Sequence, residues 1–400
     1  MSEVINPTPA AAGLIRWLLA EGGRFESSRT FVESAGQRLI DAGVPLFRLG
    51  LTLTHFHPVL RASTSEWVRG TDAREIARPR NMMGSRVFSH SPIAQVMRTR
   101  EPLRRRLVGP EAEFDFPVLE ELRDKGLTDY YVMPLDMGYG LQGGIVTYGS
   151  DHPDGFQAHH LHLLDDIAPA LAAIGQIHSG RRSIESLLNT YVGAEPTRRI
   201  LTGEVVQGVG HTVRAVVWWC DLRNFTSLSE SLARDEMLGL LNAYFSAAVE
   251  SVTGAGGEVL KFMGDAVLAI FRCEESDEDA TSRALAAAHA LVDRLADLNG
   301  KREGANYPEI RCGIALHLGP VMYGNIGSAE RLDFTVIGPA VNLVSRLAQL
   351  CKPLGESIVL SGEVAKAAAA RMRPLGKHSF RGIAGEREAF APAGPVLAGV

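Results

Sequence analysis

The stretch from residue 258 to residue 271, EVLKFMGDAVLAIF, decides the fold of the second half of the chain. Residues 258–262 and 266–271 are mostly apolar or aromatic, as strands prefer, and Met263, Gly264 and Asp265 between them are typical of a turn. The segment therefore predicts a β-hairpin around these three residues. An earlier apolar strand, at 215–220, also ends on an aspartate, Asp221.

Helical and strand patterns alternate around this hairpin, in an order typical of an α/β or α+β domain. Apolar residues at three- and four-residue spacing predict the helices, and proline suits a first helical turn. The predicted elements are a helix at 235–253, a long helix at 277–299, strands at 310–316 and 332–337, a helix from about Pro339, and a short alanine-rich helix at 365–370. We place this domain at residues 206–392.

Asp221 and Asp265 are candidate ligands for a divalent cation. Carboxylates at strand ends suit Mg²⁺, which also contacts substrate phosphates. Taken singly, each aspartate has a second interpretation, because an aspartate after a strand commonly caps a turn or a helix. The residues around the two aspartates favour the metal site.

Five segments occur in the order found in class III nucleotidyl cyclases. They are residues 221–226 (DLRNFT), 261–265 (KFMGD), 311–319 (RCGIALHLG), 324–328 (GNIGS) and 335–346 (TVIGPAVNLVSR). The chain resembles this family from about residue 191 to residue 390. The resemblance implies an α+β fold with a ferredoxin-like βαββαβ core, and an adenylate cyclase that converts ATP to cyclic AMP and pyrophosphate.

The resemblance also implies roles for individual residues. Asp221, Asp265 and the backbone carbonyl of Leu222 would hold two Mg²⁺ or Mn²⁺ ions. Asn342 would orient the ribose and Arg346 would stabilise the charge that develops at the α-phosphate; their spacing of four puts both side chains on one helix face. The implied phosphate contacts are Arg311, Arg381 and the backbone N–H groups near Phe225 and Thr226.

Lys261 and Thr335 match the purine-reading pair of the family. A lysine can donate to N1 of adenine and a hydroxyl can accept from its 6-amino group, whereas guanine presents the reverse pattern. We therefore expect ATP as substrate. A guanylate or mixed-specificity cyclase is the enzymatic alternative, because two side chains rarely guarantee a base. A catalytically silent nucleotide-binding or dimerisation module is the other; its usual signature is loss of a metal aspartate or of the transition-state arginine.

Three positions depart from the family pattern. Asn224 stands where glycine is usual, and asparagine is the next best residue for a positive φ. Pro339 replaces an aspartate at a helix start, where proline loses no needed donor. Arg381 replaces a lysine and keeps the charge. We expect all three to preserve the site.

In class III cyclases the site is shared between two catalytic domains. The aspartates come from one domain, and Lys261, Thr335, Asn342, Arg346 and Arg381 would come from the other. This chain contains each set once. The resemblance therefore implies a homodimer with two sites and an inactive monomer.

The first half of the chain, residues 1–177, is expected to be a mixed α/β sensor domain. The pattern predicts a helix at 31–42, strands at 47–54, 131–135 and 144–148, a turn at 138–144, and a helix over the apolar residues from Leu161 to Ile174. The strand, turn, strand and helix order resembles the end of a GAF-type domain. A connecting helix at 178–205 would pair with its copy or pack on a neighbouring domain, and an unknown small molecule or protein would act on the sensor half.

Composition excludes several classes of protein. A net charge of -5 over 400 residues gives no basic field for nucleic acid. The apolar runs fall far short of the roughly 20 residues that a membrane helix needs, and the first residues do not resemble a secretory signal, so we expect a cytoplasmic protein. The four cysteines form no Cys-x-x-Cys pair and are interpreted as buried apolar residues.

Three weaker signals lie in the first half. His55 and His57 flank Phe56 and would share one strand face, and His159, His160 and His162 follow His152 near a predicted helix start. We interpret both sets as ordinary core or surface histidines rather than metal ligands. Arg98, Arg100 and residues 104–106 form a basic cluster, expected to be a solvated face, with an anionic ligand or acidic partner as the alternative.

Overall fold

The computed structural model describes residues 7–138, 143–204, 210–302, 308–328 and 330–394. The chain divides into two compact units, and the boundary lies between Thr190 and Tyr191. Most of the turn predicted at 138–144 lies outside the described residues. No helix of the described part is long and apolar enough to cross a membrane.

In the described part of the chain, the first unit is a six-stranded sheet with helices on both faces. Its elements are α1 (Pro9–Glu21), α2 (Ser28–Asp41), β1 (Arg48–Thr54), β2 (Leu60–Val68), β3 (Arg74–Pro79), α3 (Arg86–Ser89), α4 (Pro92–Thr99), β4 (Leu103–Arg106), α5 (Pro117–Asp124), β5 (Asp129–Leu135), β6 (Gly144–Ser150) and α6 (Ala158–Val192). The strands pair in the order β3-β2-β1-β6-β5-β4. The predicted helix at 31–42 and strands at 47–54, 131–135 and 144–148 are confirmed.

Side-chain alternation separates the two faces of this sheet. Leu49, Leu51 and Leu53 of β1 are buried in a cluster that also contains residues of α1, α2 and α6. Arg48 and Thr52 of the same strand point to the opposite face, where they line a cavity. Helices α1, α2 and α6 therefore cover one face. On the other face, Val96 of α4 and Leu122 of α5 pack with Tyr130, Val132 and Ile145 of β5 and β6.

The helix over Leu161 to Ile174 and the connecting helix predicted after it are one continuous helix, α6, of 35 residues. It ends before Gly193, whose φ of 92° lies in the region that glycine adopts most readily. A separate helix, α7 (Ala194–Leu201), follows. The connecting segment predicted at 178–205 is therefore helical over most of its length, but it consists of the end of α6 and of α7 rather than one helix, because the backbone leaves the helical region at Gly193.

Most of the basic cluster pairs with carboxylates, so the prediction of a solvated face is wrong for residues 104–106. Arg104 and Arg106 contact the fully buried Asp129 at 2.6 and 3.4 Å, and Arg105 contacts Asp115 at 2.6 Å. A buried carboxylate needs such partners because removing it from water is costly. These arginines therefore stabilise the fold.

The histidines of the first unit make local contacts. His57 Nδ1 accepts from the N–H groups of Val59 and Leu60 at 3.1 and 3.0 Å, which fixes a turn. His55 is buried, and this burial lowers its pKa. His160 Nδ1 accepts from the N–H of Gln157 at 3.0 Å, at the start of α6. Among the described residues no group of three histidine, cysteine or acidic side chains comes together as a metal site.

The second unit begins with α7 and contains a second sheet. Its further elements are β7 (Gly210–Leu222), α8 (Phe225–Ser231), α9 (Arg234–Gly254), β8 (Glu258–Met263), β9 (Ala266–Arg272), α10 (Asp277–Arg302), β10 (Cys312–Gly327), β11 (Leu332–Ile337), α11 (Pro339–Ala348), α12 (Cys351–Leu354), β12 (Ile358–Ser361), α13 (Gly362–Ala367), β13 (Met372–Ser379) and β14 (Glu386–Pro392). The sheet order is β13-β14-β12-β10-β7-β9-β8, and β11 pairs with β10.

The βαββαβ succession predicted for this unit is present as β7, α9, β8, β9, α10 and β10, with α8 inserted after the first strand. The predicted hairpin is β8 and β9, and the predicted helix from Pro339 is α11. Helices α9 and α10 cover one face of the sheet, with Val216 and Trp218 of β7 in that core. Helix α11 covers the other face, with Ala215 and Val217.

Two predicted bounds are wrong. The strand expected to end at Leu316 continues to Gly327, because its second half pairs with both β7 and β11, and Pro320 is accommodated opposite Arg214. The alanine-rich helix expected at 365–370 ends at Ala367 as part of α13, and Ala368 is extended. Ser361 caps the start of α13 by accepting from the N–H of Val364, so the cap rather than alanine content sets its position.

Candidate active site

The candidate metal ligands lie at one end of the central strand β7. Asp221 continues the odd-numbered series of β7, whose members Ala215 and Val217 face α11. The pairing of β7 with β9 runs from Ala215 to Cys220, and extending it by two residues sets Leu222 opposite Asp265. The strand register therefore brings the two predicted aspartates together.

The two carboxylates affect each other electrostatically. Burial, and then the negative charge of Asp265, raise the pKa of Asp221 from its ordinary value to about 6. Both effects disfavour a negative charge on Asp221 while Asp265 is ionised. A bound cation would offset the repulsion between the two carboxylates, so this arrangement of charges fits a site for a divalent metal ion.

Gly313 lies directly beside Asp221 in the neighbouring strand β10. A Cβ atom at Gly313 would lie 3.3 Å from Asp221 Oδ1 and 2.9 Å from Cys351 Cβ. The second distance is too short for two carbon atoms, so a side chain here would displace its neighbours. Because Gly313 has no side chain, the Asp221 carboxylate has space beside β10.

The loop after Asp221 contains the first departure from the family pattern. Asn224 has φ 58° and ψ 28°, a left-handed conformation, in which asparagine is the best tolerated residue after glycine. Its Oδ1 accepts from Lys352 Nζ at 3.2 Å, and the N–H of Arg223 donates to the carbonyl of Arg311 at 2.9 Å. The loop is therefore fixed on two sides, and α8 starts directly after it at Phe225.

The predicted purine-reading residues lie on β8 and β11. Lys261 Nζ forms an ion pair of 2.7 Å with Asp333 of β11, two residues before Thr335. Thr335 is 4% exposed, and its hydroxyl has no hydrogen-bond partner among the described residues. Lys261 is thus held next to the strand that contributes a buried, unsatisfied hydroxyl.

Asn342 and Arg346 lie on the exposed face of α11, opposite its buried residues such as Leu343 and Leu347. The prediction that they share a helix face is confirmed. Pro339 is the first residue of α11, where it removes no helical hydrogen bond. Neither the Asn342 nor the Arg346 side chain makes a hydrogen bond or ion pair with the described part of its own chain.

The phosphate-binding candidates are more dispersed. Arg311 immediately precedes β10, beside the Asp221 loop, but its guanidinium pairs with Glu309 at 2.5 Å. Arg381 is exposed between β13 and β14. Within one chain, electrostatic repulsion couples Asp221 to Asp265, and an ion pair joins Lys261 to Asp333. Among the described residues, no hydrogen bond or ion pair links any of these four to Asn342, Arg346 or Arg381.

The family comparison matches this unit. Residues 211–390 match the family described as the adenylate and guanylate cyclase catalytic domain. These residues form a class III cyclase catalytic domain. The matched range contains every candidate site residue named above.

Two curated relatives and one solved structure are similar to the chain. An adenylate cyclase of Anabaena cylindrica is 33% identical over 160 residues, 40% of this chain and 32% of that protein. Adenylate cyclase 1 of Rhizobium meliloti is 27% identical over 239 residues, 58% of this chain and 36% of that protein. The chain therefore spans about a third of the length of these relatives. A bacterial light-regulated adenylyl cyclase, 23% identical with a TM-score of 0.50 over 63% of this chain and 82% of that chain, shares the fold.

Asp333 is the residue of the cyclase domain that the sequence did not single out. It lies two residues before Thr335 in β11, so the two side chains leave the same side of the strand. A carboxylate two positions from a predicted base-reading hydroxyl was the available signal. The contact with Lys261 required the tertiary fold, because β8 and β11 are about 70 residues apart in sequence.

Proposed function

We propose that the cyclase domain is an adenylate cyclase, which converts ATP to cyclic AMP and pyrophosphate at two sites shared by a homodimer. The two relatives named above are adenylate cyclases, and the residues that distinguish ATP from GTP favour the same substrate. The proposal rests on two residues: Thr335, whose buried hydroxyl has no partner among the described residues, and Lys261, which Asp333 holds beside the same strand.

This pair suits adenine. A buried hydroxyl without a partner is unfavourable by about 1–3 kcal/mol, so Thr335 gains when a donor such as the 6-amino group reaches it. Lysine has three N–H donors, so Lys261 can donate to N1 of adenine while it keeps its ion pair with Asp333. A base that leaves the Thr335 hydroxyl unpaired loses this gain.

The donor set at the end of β7 fits two Mg²⁺ or Mn²⁺ ions. The two aspartates and the carbonyl oxygen of Leu222 would hold them, since these ions prefer oxygen ligands. When bound, such ions lower the pKa of the ribose hydroxyl and neutralise charge on the triphosphate.

The side chains of the chain itself position the nucleotide. Asn342 hydrogen-bonds the ribose so that its 3′-oxygen faces the α-phosphorus. As the new P–O bond forms, the bond to the leaving pyrophosphate breaks and the hydroxyl proton is lost to solvent or to a phosphate oxygen. Arg346 donates to the oxygens that gain charge, and Arg381, Arg311 and the N–H groups of Phe225 and Thr226 hold the phosphates.

A second copy of the chain would complete the site. Asn342 and Arg346 are exposed and make no contact with the aspartates of their own chain. Exposed apolar residues also repeat along α6, with Ile177, Ile184 and Tyr191 seven residues apart and 42, 54 and 81% exposed. This heptad spacing favours pairing with a second α6, and we propose that an effector of a GAF-like first unit acts through that pairing.

Asp333 supports a second candidate, a cyclase of mixed specificity. Its carboxylate lies beside Lys261 and can accept from the N1–H of guanine. Competition of ATP and GTP in one assay distinguishes the two candidates. If Asp333→Asn lowers turnover of GTP while turnover of ATP is kept, the wild-type enzyme has mixed specificity.

Complementation between two inactive variants tests the shared site. Asp265→Ala and Arg346→Ala should each be inactive as homodimers. Their heterodimer has one intact site and one doubly altered site, so it should regain up to about half of the wild-type activity per dimer. If verified heterodimers stay inactive, the shared site is wrong; if the wild type with either metal forms no cyclic nucleotide, the cyclase activity itself is wrong.

A further inference from the structure

The first unit contains a cavity on the sheet face that α1, α2 and α6 leave uncovered. It lies between this face and residues of α3, α4 and α5, with a volume of about 580 Å³. Pockets of 300–1,000 Å³ typically hold small organic molecules. A unit that only supported the fold would fill such a space with side chains, because protein interiors are close-packed.

The charged side chains that line the cavity all have the same sign. They are Arg48, Arg61, Arg78 and Arg100, and among the described lining residues there is no carboxylate. Arg48 has an anionic partner, because it forms an ion pair with Glu66, although Glu66 also pairs with Arg74. The other three arginines leave an excess of positive charge at the cavity.

Arg61 and Arg78 are the two partly buried members that form no ion pair within the described part of the chain. Arg78 Nε donates to Thr64 Oγ1 at 3.0 Å, and burial lowers its pKa. Arg61 Nε is buried and has no acceptor among the residues that the structure describes. No described carboxylate forms an ion pair with either guanidinium. Two desolvated guanidinium forks therefore have N–H groups to offer to an anion.

A backbone irregularity directs Arg61 into the cavity. The pairing of β2 with β3 skips from Leu60 to Ala62, so Arg61 is the extra residue of a β-bulge. In a regular strand Arg61 and Ala62 would point to opposite faces, yet both line the cavity. Bulges commonly re-aim a side chain next to a functional site.

The rest of the wall is largely apolar. Phe88, Ile93, Met97, Val118 and Leu122 contribute to it from α3, α4 and α5. An inorganic anion alone would leave this wall against water. The cavity therefore suits a molecule with an apolar body and one anionic group.

We propose that this cavity binds a small amphipathic organic anion, whose carboxylate, sulfonate or phosphate is held by Arg61 and Arg78 and whose apolar body packs against α4 and α5. The proposal does not depend on the activity of the cyclase domain. It assigns a ligand class to the first unit from the lining of its cavity.

Two fluorescent probes of the same shape test the proposal on the full chain. Anilinonaphthalene sulfonate has the required anionic group, and phenylnaphthylamine is the matching neutral molecule. We expect the wild type to bind the sulfonate at least about tenfold more tightly than the amine. In the Arg61→Gln/Arg78→Gln variant this preference should fall to about threefold or less, whereas Arg86→Gln, which alters an exposed arginine of α3 outside the cavity, should keep it.

The outcomes are decisive in either direction. If the preference survives in the double variant, or is lost equally in Arg86→Gln, the assignment is wrong. If the double variant fails to fold, Ala62→Leu tests the cavity without a change of charge, because it fills space at a lining position. This variant should weaken binding of both probes by about tenfold or more, and unchanged binding of both would refute the cavity as the site.

Discussion

Replacing Thr335 by valine separates the function of its hydroxyl from the stability of the fold. Valine has nearly the same shape but replaces the hydroxyl by a methyl group. Because the buried hydroxyl has no partner among the described residues, the substitution should leave the free energy of unfolding unchanged or raise it by up to about 1–2 kcal/mol. A hydroxyl with a structural partner would instead lose stability.

The same substitution should impair use of ATP. Without the hydroxyl, the 6-amino group of adenine is left unpaired in a buried place, at a cost of about 1–3 kcal/mol. This loss corresponds to a decrease in kcat/KM of about 5- to 150-fold. Purine riboside triphosphate lacks the 6-amino group, so its kcat/KM should be the same for the wild type and the variant.

Thr281 provides a matched control in the same unit. Its hydroxyl is also fully buried and has no partner in the described ranges, but it lies on α10, on the side of the sheet away from α11. Urea unfolding and cyclase kinetics should be measured for both variants. Thr281→Val should match Thr335→Val in stability and the wild type in kinetics. An equal loss for ATP and for the purine analogue in Thr335→Val would refute the base-reading role.

Three further predictions concern the surroundings of the site. Asn224→Gly should keep activity and stability, whereas Asn224→Ala should lower the free energy of unfolding by about 1–2 kcal/mol, because only the alanine is strained at φ 58°; urea unfolding measures both. Lys261→Glu should lower ATP turnover by at least about tenfold, and the like-charge pair that it forms with Asp333 should lower stability. Adding Asp333→Asn removes this repulsion and should recover the stability, which thermal unfolding measures. Gly313→Ala should lower kcat about tenfold or more, because the new methyl group crowds the Asp221 carboxylate; steady-state assays at several Mn²⁺ concentrations will show whether metal affinity falls with it.

Most of the cyclase domain could be predicted from local sequence, because its hairpin, helices and strand-ending aspartates have clear periodicity and turn residues. The compatibility of Asn224 with a left-handed turn could also be predicted, since asparagine is one of the few residues that adopt this conformation. The ends of strands could not be predicted where they depend on pairing with another strand. The second half of β10 is a strand because β7 and β11 lie on either side of it, a long-range contact that no local pattern contains.

The contacts between distant segments were also beyond the sequence. The ion pair of Lys261 with Asp333 and the pairing of residues 104–106 with acidic partners both depend on which strands become neighbours. The bulge at Arg61 is a slip of one residue in strand register, and alternation in the sequence predicts only the regular case. These contacts determine how the binding surfaces are charged.

The position of β8 has a consequence for the solubility of the protein. Within the described sheet β8 is the outermost strand, so its free backbone groups can pair with a strand of another molecule. Phe262 of this strand is 49% exposed, and Lys261 beside it provides the charge that discourages such edge-to-edge aggregation. The lysine that we propose reads the base therefore also protects the sheet edge, and an apolar replacement there should be judged by solubility before activity.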